Sequence, residues 1–206
     1  MSSPVVYVID DDVGIRQSMG AMLRYASLAV QLYGSAKAFL SDEPAARGCV
    51  VTDIRMPEMD GLELQDEINR RGLGLPVIIM TGHGDVPLAV KAMRAGASDF
   101  IEKPFDNHLM LSSIKRAIEQ GERARDRESE ARSARDLLAL LTPRERHVLD
   151  QLVAGRSNKV AAYELGISPR TIEIHRARIM DKMRARSLSD LVRTAITAAA
   201  PAGGFS

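Results

Sequence analysis

With 206 residues, 45% of them hydrophobic and 27% charged, the chain suits a soluble globular protein of one large or two modest domains, not a disordered or fibrous one. A single cysteine, Cys49, excludes a disulfide framework and fits a reducing compartment, read here as the cytoplasm. The net charge of +1 hides an asymmetry: residues 1–120 carry 12 Lys and Arg against 16 Asp and Glu, residues 121–140 five of each, and residues 141–206 carry 11 against six. The basic final third is expected to face an anionic partner.

The opening MSSPVVYVIDDD has no basic region and reaches three aspartates after a short apolar run, so it reads as neither a signal peptide nor a membrane span. From there, apolar runs alternate with helix-like segments. Strands are expected at Val5–Asp10, Leu28–Tyr33 (the weakest), Cys49–Asp53, Pro76–Thr81 and Asp99–Lys103. Helices are expected at Gly14–Ala26, Ser35–Ser41, Gly61–Arg71, Pro87–Ala95 and from Phe105 onward. VVYVI and VIIM are continuous apolar runs, as strands covered on both faces require. Regular alternation predicts a doubly wound parallel sheet with right-handed crossovers.

In such a sheet, function gathers at the carboxyl ends of the strands. Here those ends carry Asp10-Asp11-Asp12, Asp53, Thr81 and Lys103. If the first and third strands are neighbours, Asp10, Asp11 and Asp53 share a pocket. Two carboxylates ~4 Å apart repel by roughly 4 kcal/mol at an effective dielectric near 20. The cluster therefore calls for a cation, and all-oxygen ligands favour Mg2+. Lys103 offers a point charge and Thr81 a hydroxyl to a phosphoryl group. Asp53 is the expected nucleophile, taking that group as an acyl phosphate. Any one of these aspartates alone would more often be a turn or cap residue, Lys103 alone a solvated charge and Phe100 alone plain core. It is the agreement of four strand ends that favours a site.

These stretches, IDDD (9–12), TDIRMPEMDG (52–61), MTGHGD (80–85) and DFIEKPF (99–105), resemble the receiver domain of bacterial response regulators. The resemblance implies Asp53 as phosphoacceptor, and Mg2+ held by Asp11, Asp53 and the Arg55 carbonyl, with Asp10 reaching it through water. It further implies Thr81 and Lys103 on the phosphoryl group, a cis Lys103–Pro104 peptide, and Phe100 as the aromatic that turns inward with Thr81. His83 lies near this pocket as a possible modulator, although a plain loop residue is the simpler reading.

Residues 119–136, EQGERARDRESEARSARD, are nearly devoid of apolar side chains other than alanine. Glu119/Arg123 and Glu128/Arg132 have the stabilising i,i+4 order. The segment reads as a solvated helix frayed near Gly121, or as a disordered charged linker.

From Leu141 on, helix signals are dense. Thr142, Pro143 and Glu145 form a capping box with proline at the first position. Ser157 caps SNKVAAYELG, which closes at Gly166, and Ser168 caps the helix that carries TIEIHRARIMDKM. Two helices joined through Gly166-Ile167-Ser168 have helix-turn-helix spacing. In the second, Ile172, Ile179 and Met183 form an apolar stripe. Arg170, Thr171, Glu173, Ile174, Arg176, Ala177, Arg178 and Lys182 are the candidate DNA contacts, the basic ones to phosphates and Glu173, Ile174 and Ala177 to base edges. A final helix with Leu188, Leu191, Val192, Ala195, Ile196 and Ala199 in one stripe packs on the core, pairs with a second copy, or does both. PAGGFS is expected to be disordered. LTPRE and SPRTIEIHRARIMDKM resemble the LuxR-type DNA-binding domain.

The whole is similar to the LuxR/FixJ class of regulators, and TGHGDVPLAVKAMRAGASDFIEKPF points to its nitrogen-fixation members. The expectation is a five-stranded parallel sheet of order 2-1-3-4-5 followed by a four-helix helix-turn-helix domain. The receiver is assigned to 1–120, a linker to 121–140, the DNA-binding domain to 141–200 and a tail to 201–206. The resemblance implies a FixL-like, oxygen-sensing histidine kinase, promoter DNA and RNA polymerase as partners, with no membrane. Phosphorylation would pair two copies through Val90, Lys91, Arg94 and Ile101 and activate transcription of nitrogen-fixation genes. Two alternatives are kept open. One is a haloacid-dehalogenase-like phosphoaspartyl enzyme, although Arg55 stands where its second acid belongs. The other is a DNA-binding regulator that ignores phosphorylation. Scattered histidines give no zinc site and no G-x-x-x-x-G-K-[ST] loop gives an ATP site.

Overall fold

The computed structural model describes residues 3–45, 47–82 and 86–199. The expected tail and His83 lie outside these residues. Contacts divide the chain into two compact units, one up to Arg125 and the other from Asp126 on.

In the first unit, strands β1 (Val5–Ile9), β2 (Ala29–Tyr33), β3 (Gly48–Asp53), β4 (Val77–Thr81) and β5 (Asp99–Glu102) form one parallel sheet in the order β2-β1-β3-β4-β5. Between them run α1 (Val13–Tyr25), α2 (Ala36–Ser41), α3 (Gly61–Arg70) and α4 (Val86–Arg94), and α5 (Asn107–Ala139) follows β5. Successive strand residues point to opposite faces. Tyr7, Ile9, Val50, Val77 and Ile79 pack with residues of α2, α3 and α4. Val6, Val8, Cys49, Val51, Ile78, Met80 and Ile101 pack with residues of α1 and α5. β3 and β4 are buried along their whole length, whereas β2 is a half-exposed edge, which is why its sequence pattern is weak. Burial pushes the Cys49 thiol up to about 12, so it packs as a small hydrophobe.

One glycine is demanded at the sheet's amino end. Gly48 has φ +133°, and a Cβ there would overlap the Val5 carbonyl across the β1–β3 pair. Two strands end a residue earlier than expected, so Asp10 and Lys103 lie just beyond β1 and β5. The Lys103–Pro104 peptide is cis.

α5 is one unbroken helix and corrects the expected fraying at Gly121. Gly121 is buried, and a Cβ on it would come within 2.8 Å of Pro76 Cγ. Close packing selects the glycine there. Glu119 and Arg123 form their i,i+4 pair, but Glu128 reaches Arg135 instead of Arg132, at 2.6 Å. Ala131 and Ala134 are buried, so this part of the helix is not wholly solvated.

The second unit contains α6 (Pro143–Val153), α7 (Asn158–Leu165), α8 (Pro169–Lys182) and α9 (Leu188–Ala199). Thr142 and Glu145 close the capping box, Ser157 and Ser168 cap α7 and α8, and Gly166 ends α7 in the left-handed conformation (φ +64°). The core joins Val148, Leu149 and Leu152 of α6 to Ala161, Ala162, Ile172, Ile179, Met183 and Leu191. Along α9, Leu191 is buried while Leu188 and Ile196 are exposed, so the apolar stripe covers more than this core uses.

Candidate functional site

β1 and β3 pair in register, with Ile9 opposite Thr52, so both strands deliver a carboxylate at the same level. Asp10 and Asp53 are only 1% and 8% exposed. Between them sits the Lys103 ammonium, 2.7 Å from Asp10 Oδ2 and 2.5 Å from Asp53 Oδ1. The remaining oxygens accept backbone amides: Asp10 Oδ1 from Asp12 at 2.9 Å, and Asp53 Oδ2 from Arg55 at 2.6 Å. Burial raises the Asp10 carboxyl above its ordinary value despite its bonds to Lys103 and Asp12. Burial alone would lower Lys103, yet its hydrogen bonds to Asp10 and Asp53 leave it above its ordinary value. The ammonium is thus the counter-charge that two buried carboxylates need.

Thr81 ends β4, buried, and its carbonyl accepts the Lys103 amide at 2.6 Å. Asp11 is exposed at the end of β1, and Asp12 is the N-cap of α1, accepting from Gly14 and Ile15. Of the three consecutive aspartates, the third therefore has the plain structural role. Phe100 is half-buried against the α3–α4 face of the sheet, opposite Ile79.

Two contributors had not been singled out. α3 starts hard against the Asp53 backbone: Gly61 donates to the Ile54 carbonyl at 3.0 Å, and a Cβ on it would overlap the Asp53 carbonyl oxygen. The glycine in MDG was readable only as a chain break. Arg16, on the second turn of α1, donates to the Asp10 carbonyl at 2.6 Å. Its position six residues after Asp10 gave no signal by itself.

No group of three His, Cys, Asp or Glu side chains among the described residues could by itself hold a metal. The pocket's donors are the two buried carboxylates of Asp10 and Asp53, both hard oxygens, while Asp11, next in the chain, is exposed. That set fits Mg2+, which keeps several waters and needs one or two carboxylates.

The expected pairing face needs one correction. Val90, Lys91 and Arg94 are exposed on α4, but Ile101 is 2% exposed and packs with the α5 residues Met110 and Ile114. Alternation along β5 turns Phe100 and Ile101 to opposite faces, so Ile101 cannot contribute to an α4 surface.

In the second unit, Ile172, Ile179 and Met183 are buried, and the opposite side of α8 exposes Arg170, Glu173, Ile174, Ala177 and Arg178 at i, i+3, i+4, i+7 and i+8. Three candidates are otherwise engaged. Thr171 shares a 2.9 Å hydrogen bond with Ser168, and Arg176 donates to Asn158 of α7 at 2.7 Å. Lys182 is corrected from a phosphate contact to an internal one, because its ammonium lies 2.7 Å from the buried Glu145 carboxylate. The Lys182 hydrogen bond, with the Thr142 amide, holds Glu145 down at about 2, so this cap stays charged. Polar and basic side chains on one face of a capped second helix, after a tight αL turn, have the form that enters a DNA major groove.

Comparisons with known proteins agree with both halves. Residues 6–147 match the model described as response regulator receiver domain, and residues 139–195 match bacterial regulatory proteins of the luxR family. The transcriptional regulatory protein FixJ of Azorhizobium caulinodans is 52% identical over 94% of this chain and 92% of its own. The response regulator StyR is a structural neighbour with a TM-score of 0.81 and 37% identity, covering 95% of this chain and 99% of its own. Full-length FixJ from B. japonicum has a TM-score of 0.60 and 48% identity, covering 97% and 98%.

Proposed function

Because this chain belongs to the response regulators that join a receiver domain to a LuxR-type DNA-binding domain, we propose that it is a transcription activator switched by phosphorylation of Asp53. The observation that carries this is the junction of Asp10, Asp53 and Lys103 at three strand ends. Two carboxylates buried together cost desolvation and mutual repulsion, and an internal cation offsets both.

A sensor histidine kinase is the donor. An Asp53 carboxylate oxygen attacks phosphorus, the bond from phosphorus to the donor imidazole nitrogen breaks, and that nitrogen keeps the electron pair. The product on Asp53 is an acyl phosphate. Asp11, Asp53 and the Arg55 carbonyl would hold Mg2+, with Asp10 acting through water. When bound, the ion spreads the negative charge of the transferring phosphoryl oxygens. Lys103 then has a new partner in a phosphoryl oxygen, and the Thr81 hydroxyl a second. Movement of Thr81 draws Phe100 inward, since the aromatic is only half-buried and carries no hydroxyl to satisfy.

The functional division is a receiver at 1–120, a helical linker at 121–140 and a DNA-reading domain at 141–200. Val90, Lys91 and Arg94 form part of the surface by which the phosphorylated protein pairs with a second copy. Arg170 and Arg178 contact phosphates, and Glu173, Ile174 and Ala177 contact base edges. The kinase is FixL-like, the targets are nitrogen-fixation promoters under low oxygen, and RNA polymerase is the further partner. No helix among the described residues is long and apolar enough to cross a membrane. The cytoplasm, where the kinase and the promoters meet, is the place of work that this reading requires. Incubation with radiolabelled acetyl phosphate and Mg2+ should label the protein but not its Asp53→Asn variant. Equal labelling of both would end the assignment.

A further inference from the structure

We propose that Arg16 is a positioning residue for the acidic pocket, fixing the Asp10 backbone so that Asp10 and Asp11 meet a divalent cation in place. The inference rests on the reading of that pocket as a Mg2+-assisted phosphoacceptor site.

Arg16 lies on α1, half-buried, and its Nη1 donates to the Asp10 carbonyl at 2.6 Å, a charge-assisted bond. This carbonyl belongs to the peptide that joins Asp10 to Asp11. Its flanks are already tied: the Asp10 amide donates to the Tyr33 carbonyl at 3.2 Å, and Asp12 both donates to Asp10 Oδ1 and caps α1. The remaining freedom is rotation of the Asp10–Asp11 peptide, which would turn the Asp11 side chain with it, and Arg16 opposes that rotation. The guanidinium lies beside Gly34, just past β2, where even a Cβ would meet its Cζ, Nη1 and Nη2 only at an ordinary contact distance of 3.7 Å.

The charge on Arg16 and its hydrogen bond predict opposite effects, which makes the role testable. Acting only by charge, a guanidinium beside the pocket repels a divalent cation, and its removal tightens binding. Acting by position, its removal loosens binding, and loss of such an outer contact typically lowers metal affinity by about 10-fold or more. Calorimetric titration of the full chain with MgCl2 separates the two, with folding of each variant checked by circular dichroism. Arg16→Ala is expected to weaken Mg2+ binding about tenfold. It should raise the Mg2+ concentration for half-maximal uptake from acetyl phosphate more than it lowers the plateau. Arg16→Lys, which can still donate to the carbonyl, should recover part of the affinity. Unchanged or tighter binding in Arg16→Ala would overturn the proposal. Absence of Mg2+ binding by the unaltered chain would instead overturn the reading on which it rests.

Discussion

Replacing Lys103 with alanine is expected to cost the receiver unit about 3 kcal/mol in a metal-free buffer, because it strands two buried carboxylates. Each contact of the ammonium, at 2.7 and 2.5 Å, is worth on the order of 6 kcal/mol at an effective dielectric near 20, more than the carboxylates repel one another. Without it Asp10, already raised by burial, should take up a proton more readily still. A divalent cation binds only the folded pocket, so it should restore stability, and more so in the variant than in the parent. Urea unfolding with chelator and with MgCl2 measures both effects. A variant as stable as the parent in chelator would show that Lys103 is not the counter-charge.

Gly61→Ala is expected to slow phosphoryl uptake about 100-fold while leaving a folded protein about 2 kcal/mol less stable. The added Cβ would overlap the Asp53 carbonyl oxygen and lie 3.0 Å from Ile54 Cα, both backbone atoms that cannot swing aside. Either α3 retreats, breaking the Gly61–Ile54 hydrogen bond, or the Asp53 backbone shifts and takes the nucleophile with it. A displacement near 1 Å is enough for such a loss. Uptake at the parental rate, measured with acetyl phosphate at saturating Mg2+, would mean that the loop absorbs the methyl without moving Asp53.

The alternation of β-rich runs with helical spacing made a parallel sheet legible, and the residues at four strand ends made the pocket legible, because a parallel sheet puts successive strand ends on one edge. The order of the strands was legible only through the resemblance to receiver domains, since alternation by itself leaves the neighbours of each strand open. What escaped depends on distances between backbones. Gly61, Gly48 and Gly121 all look like turn residues or helix breakers in the sequence, yet each sits where another chain segment comes too close for a Cβ. Ile101 was misassigned because its neighbour Phe100 lies on the α4 face, and a strand reverses face at every residue. Lys182 was misassigned because helical spacing puts it near the basic face. Its buried partner Glu145 is 37 residues away, and only the folded core brings them together.

The central claim is that chemistry at Asp53 controls what α8 does. It is tested most directly by a paired gel-shift measurement on a promoter fragment, using the unaltered protein and Asp53→Asn, each with and without acetyl phosphate and Mg2+. The account predicts that phosphodonor tightens DNA binding about tenfold or more for the unaltered protein alone, within the usual range of coupling between sites. Equal binding by both proteins under every condition would contradict it.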